Sequence, residues 1–143
     1  MTADPQEAIN FVVAWSGAKA DVRMPASIYA AYRQAIDGTD EISVKRNTQL
    51  QRYFTEFCDN DDYHRRLSDQ KFKKEGNFST GVADKKVAIF EFKAWQWRLY
   101  GAIMTVNKRR AFVGVVIDPN KKKDKADRAK LVQAAKLIGE LKA

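Results

Sequence analysis

Apolar residues recur at two different periods along this chain, and the change between them divides it. In the first part the spacing is three and four residues. Ile28, Ala31, Tyr32, Ala35 and Ile36 form one apolar stripe, which predicts a helix. Pro25 suits its first turn and Asp37-Gly38 its end. A second helix is expected over residues 45–58, with Leu50, Tyr53, Phe54 and Phe57 on its buried side and Asp59-Asn60-Asp61-Asp62 ending it. Residues 9–15 are β-branched and aromatic and predict a short strand. Residues 64–74 are basic with little periodicity, and Gly76-Asn77 and Thr80-Gly81 are turn signals.

From Val87 the texture becomes strand-like. Residues 87–92, 97–106 and 111–117 are three expected strands. The last two are joined by a tight hairpin at Asn107-Lys108-Arg109-Arg110, and Asp118-Pro119-Asn120 ends the third. A helix over residues 126–141 closes the chain. It carries Leu131, Ala134, Ile138 and Leu141 on one side and sends Lys130, Lys136 and Lys142 toward solvent. Segregated helices and strands point to α+β: a small antiparallel sheet with N-terminal helices packed on one face and a C-terminal helix, as a single domain over residues 1–143.

Charge changes the picture more than composition does. The net charge is +8. Residues 1–63 hold 6 Lys/Arg against 10 Asp/Glu, a balance of −4, while residues 64–143 hold 20 against 8, a balance of +12. A half so basic suggests a polyanionic partner. Cysteine occurs once, at Cys58, so no internal disulfide can form. The polar start and the shortness of the 11–15 apolar run predict a cytoplasmic protein with no leader and no membrane span.

One Cys and one His exclude an ordinary zinc site. Asp59 to Asp62 looks superficially like a calcium loop, but its sixth and twelfth places hold His64 and Gln70, so it reads as a solvated turn. No Gly-rich phosphate cradle or dinucleotide fingerprint is present, and no metal or cofactor is expected. Cys58 and His64 could pair in principle, yet Cys58 in an aromatic helix reads as core.

The strongest constellation is basic residues interleaved with aromatics. Lys71, Lys73, Lys74, Lys85, Lys86, Lys93, Arg98, Lys108, Arg109, Arg110, Lys121, Lys122, Lys123 and Lys125 alternate with Phe72, Phe90, Phe92, Trp95, Trp97 and Tyr100. Cations neutralise phosphates and aromatic faces stack unpaired bases, so nucleic acid is the expected partner; the competing reading makes most of the aromatics core. Arg98 stands inside an apolar strand. If Trp97 and Leu99 face the core, a period of two puts Arg98 and Tyr100 together on the opposite face. There Arg98 could fork onto a phosphate or pair across the sheet with Glu91.

These residues carry a resemblance. Phe90-Glu91-Phe92-Lys93, then Trp97-Arg98-Leu99-Tyr100, then the apolar strand 111–117, then Lys121 to Lys130 opening a helix, resemble in order and spacing the RelE/ParE toxin superfamily, especially its HigB-like branch. The match covers the C-terminal 60 residues or so, less than one typical domain, and residues 1–60 look like an extended N-terminal segment. The resemblance implies a RelE-like domain and a toxin of a type II toxin–antitoxin pair. Such a toxin is a metal-independent endoribonuclease that cleaves messenger RNA, often on the ribosome, and is held by a cognate antitoxin. It implies that Arg98 clamps the scissile phosphate, that Lys121 and Lys122 bind RNA or the transition state, and that Tyr100 transfers a proton. Lys73, Lys74, Lys93, Lys123 and Lys125 would complete the RNA surface. The chain departs from the pattern where Lys130 replaces a usual acid and where no His or Tyr follows Lys121. Two other readings keep the scaffold: a non-catalytic nucleic-acid- or protein-binding module, and a ParE-like gyrase inhibitor.

Overall fold

A computed structural model describes residues 11–119 and 127–142. In chain order the elements are β1 (Phe11–Ser16), β2 (Ala20–Pro25), α1 (Ala26–Ile36), α2 (Glu41–Asp59), α3 (Tyr63–Arg66), β3 (Phe72–Ser79), β4 (Lys86–Ala94), β5 (Trp97–Val106), β6 (Arg109–Asp118) and α4 (Arg128–Lys142). The six strands make one sheet in the order β1-β2-β6-β5-β4-β3. The α+β expectation holds. The sheet is mixed, however: β2 runs parallel to β6, and every other neighbouring pair is antiparallel.

The apolar pattern explains the helices. Tyr32 and Ile36 of α1, and Leu50, Phe54, Phe57 and Cys58 of α2, bury against Val22, Phe92, Trp97, Leu99 and Phe112 on one face of the sheet. Phe92 meets Phe54, Phe57 and Phe112 edge-on at 4.8–6.0 Å between centroids, a favoured geometry for aromatic quadrupoles. The helix α2 starts earlier than its stripe suggests because Asp40 caps it, its carboxylate accepting from the Ser43 amide at 3.2 Å. On the other face, Leu131, Ala134, Ala135 and Ile138 of α4 pack on Val87, Ile89, Ala102, Met104 and Val113. Among the described residues, no helix is long and apolar enough to cross a membrane.

The β5–β6 hairpin turns at Asn107-Lys108, both with left-handed φ (51° and 66°), as two-residue hairpins require. The arginines that follow are structural rather than free for a ligand. Arg110 donates to the carbonyls of Phe57 (2.7 Å) and Asn60 (2.8 Å) at the end of α2, and its guanidinium lies over the Phe57 and Tyr63 rings. Arg109 donates to the Gly17 carbonyl at 2.6 Å and to Asp21 at 3.2 Å. The acidic run after α2 also has partners, since Asp59 accepts from the Ala18 amide and Asp61 pairs with Arg110.

Asp21 is the anchor of the β1–β2 end. Its buried carboxylate accepts from Ser16 (2.6 Å), Arg23 (3.0 Å) and Arg109 (3.2 Å). Burial alone would raise its pKa, but the Ser16 and Arg23 hydrogen bonds and the Arg109 charge outweigh it and hold the group below its ordinary 3.8. A depressed folded-state value contributes stability that is complete above the unfolded value and lost as pH falls through the folded one. We expect the wild type to lose stability below about pH 4. Asp21→Asn should start less stable at pH 7 and show a shallower acid loss, as read from urea midpoints across that range.

Candidate nucleic-acid interface

Strand alternation builds a polar cluster at one end of the sheet, on the face that α4 covers further along. In β5, Trp97 and Leu99 enter the helix-covered core, so Arg98 and Tyr100 share the opposite face. In β4, Phe90, Phe92 and Ala94 pack toward the helices α1 and α2, so Glu91 and Lys93 lie with Arg98 and Tyr100. Register brings these residues side by side. Glu91 sits opposite Tyr100 on one side and Lys73 on the other, while Arg98 sits between Lys93 and Asp118. A bulge at Glu75, between Lys74 and Gly76, adds a further carboxylate 3.8 Å from Lys73.

Glu91 is the centre of the cluster. It is fully buried, with the Lys93 ammonium at 3.3 Å and the Arg98 guanidinium at 4.0 Å. Arg98 is itself mostly enclosed and donates through Nη1 to the carbonyls of Trp95 and Trp97, the latter at 3.0 Å. It therefore clasps the β4–β5 turn as well as facing Glu91. Tyr100 has a buried hydroxyl without a hydrogen-bond partner among the described residues. Burial first, then the carboxylates of Glu91 and Asp118, push that hydroxyl well above its ordinary pKa. Such a group is a poor proton donor at neutral pH, and its burial sets it back from any bound backbone.

The candidate residues from the sequence divide accordingly. Arg98, Tyr100, Lys93 and Lys73 come together on one face. Lys74 alternates to the other face, opposite Phe90, and is exposed. Lys121, Lys122, Lys123 and Lys125 lie outside the described residues. The expected all-cationic pocket is, among the described residues, a balanced one: Lys73, Lys93 and Arg98 against Glu75, Glu91 and Asp118. Of the three carboxylates, Glu91 is the one the strand pattern names, and it shares parity with the buried Val87 and Ile89. Glu75 and Asp118 join through a bulge and a cross-strand register that spacing does not encode.

Other chemistry is quiet. Burial pushes the Cys58 thiol up to about 12, aided by the Asp21 and Asp59 carboxylates, so it is no nucleophile at neutral pH. Among the described residues no group of His, Cys, Asp and Glu could hold a metal. A cleft of about 570 Å³ on the helix side is lined by Trp15, Thr48, Arg52, Tyr53 and Lys71, with Arg66 drawn to Asp62 (2.9 Å) and Glu56 (3.7 Å). No family model, curated protein or solved structure matches the chain.

Proposed function

We propose that this protein is an RNA-directed toxin of the RelE/HigB type, cleaving messenger RNA without a metal and held in check by a cognate antitoxin. The observation that supports it most is the joint position of Arg98 and Lys93 on one sheet face, opposite Asp118, the last residue of β6 and three residues before Lys121 in the chain. The basic C-terminal half and the run of β4, β5, β6 and α4 agree with the resemblance.

In this reading the 2′-hydroxyl attacks the adjacent phosphorus, the bond to the 5′-oxygen breaks, and a 2′,3′-cyclic phosphate and a 5′-hydroxyl remain. Charge accumulates on the non-bridging oxygens, and preorganised cations are what the reaction needs. Arg98, Lys121 and Lys122 would meet those oxygens, and the 2′-hydroxyl proton would end on the departing 5′-oxygen. Tyr100, buried and with a raised pKa, would back the face rather than carry a proton.

A second reading is favoured by the balanced charge of the cluster and by the two carbonyls that already engage Arg98: a module that binds RNA without cutting it. Incubation of short single-stranded RNA, and of ribosomes carrying messenger RNA, with wild type and Arg98→Ala separates the two. Cleavage by the wild type in EDTA, mapped by its cyclic-phosphate ends and reduced about 100-fold in the variant, is the expected result. Binding without cleavage by both proteins, on and off the ribosome, would leave the second reading.

A further inference from the structure

The β4–β5 hairpin ends in a residue that local physics disfavours there. Ala94 pairs with Trp97, so the turn is Trp95-Gln96, and Trp95 holds φ at 59°. Left-handed backbone suits glycine; a bulky side chain there is uncommon and is kept only where its surroundings over-determine it. Arg98 supplies that determination by donating to the Trp95 and Trp97 carbonyls. The outcome is an indole 52% exposed at the tip of the sheet, where burial would ordinarily take it. The ammonium of Lys45, reaching from α2, lies 5.7 Å from the ring centroid. Lys93 and Arg98 form the strand pair one step further from the turn, with their charges turned to Glu91.

We propose that Trp95 is a stacking platform for an unpaired nucleobase of single-stranded RNA, with Arg98 as the residue that positions it. This deepens the RNA reading above and rests on it. Lys45 favours that occupant: its ammonium beside the ring is 52% exposed and held in a surface pair with Glu41 at 2.8 Å, a weak contact that leaves it able to meet the phosphate of a base stacked on the indole. The competing occupant is a protein, because Ile42 and Val44 are also exposed near the start of α2. A protein-binding anchor, though, is usually ringed by residues that exclude water, and cations do that poorly.

The test is the affinity of the purified protein for a fluorescein-labelled short single-stranded RNA and for the same backbone bearing abasic sugars, each at several salt concentrations. Trp95→Ala should weaken binding to the intact RNA about 5- to 150-fold, the range expected for one stacked base, with an unchanged salt slope. Trp95→Phe should keep most of the affinity, and abasic RNA should bind wild type and Trp95→Ala alike. Trp95→Gly guards against misfolding, since glycine accepts the left-handed turn: its Tm should be at or above that of the wild type while its RNA affinity falls like that of the alanine variant. Equal affinity of wild type and both variants for intact RNA would overturn the stacking role and leave the RNA reading standing. A wild type with no salt-dependent RNA binding would overturn both and turn attention to a protein on Trp95, Ile42 and Val44.

Discussion

Gly101→Ala is expected to cost about 4 kcal/mol or more of folding stability, enough to leave much of the protein unfolded at growth temperature. Gly101 lies opposite Gly114, where the β5–β6 ladder shifts register beside Val115. A Cβ on Gly101 would sit inside contact distance of the Val113 carbonyl oxygen, 2.8 Å from its carbonyl carbon and 2.9 Å from the Gly114 Cα. All three atoms are backbone, so no side-chain rotation relieves the clash. The two central strands would have to part at the bulge that allows Tyr100 and Val116 to face the same side as Ala102 and Val113. A lowered urea midpoint together with lost near-ultraviolet dichroism would be the readout. A midpoint near that of the wild type would mean that the strands can separate cheaply there.

Glu91→Ala is the second large effect, expected at about 3 to 5 kcal/mol. The carboxylate is fully buried between two cations that are themselves largely enclosed, with side-chain exposures of 17% for Lys93 and 13% for Arg98. Removing it leaves those charges without their central counter-ion, and such an uncompensated charge is costly. The diagnostic is non-additivity. Lys93→Met alone takes the nearer of its two cations from the carboxylate, but Glu91→Gln combined with Lys93→Met removes both charges of that pair and should lose less than the sum of the single changes. Strict additivity in that cycle would show that Glu91 is held by other groups. Arg98 also loses a neighbour in Glu91→Ala, so the pose of the Trp95 turn should change with it, and under the proposed function RNA cleavage should fall alongside.

The two variants probe features of different legibility. The strands β4, β5 and β6 were readable because their apolar residues alternate or run continuously between clear turn signals, and α1, α2 and α4 because of their stripes. By contrast, β2 went unread: Ala20, Val22 and Met24 do alternate with Asp21 and Arg23, but the run is short, and the ion pairs of Arg23 and Arg109 with Asp21 that make its charged side tenable come only from the fold. Likewise β3 was hidden: Lys73, Lys74, Glu75 and Gly76 read as a basic loop, and only pairing with β4 makes them a strand. The parallel contact of β2 with β6 joins residues about ninety positions apart and has no local signal at all.

For the interface, period-two alternation was enough to put Arg98 and Tyr100 on one face and to name Glu91 as a cross-strand partner. Composition was enough to mark the basic half. Those are local or additive properties, and they survive without knowledge of the fold. Whether an arginine is free, however, depends on what reaches it from elsewhere. Arg109 and Arg110 are absorbed by Asp21, by Asp61 and by the end of α2, and Arg98 is tied to its own turn and to Glu91. The neutral balance of the cluster, the depth of Tyr100 and the outward indole of Trp95 likewise follow from register, a bulge and a hairpin tip. The chain's residues carry their charge and period with them. Which charges cancel and which aromatic stays uncovered is decided only when distant strands are laid side by side, because electrostatic and packing energies depend on distances that neighbours in sequence do not set.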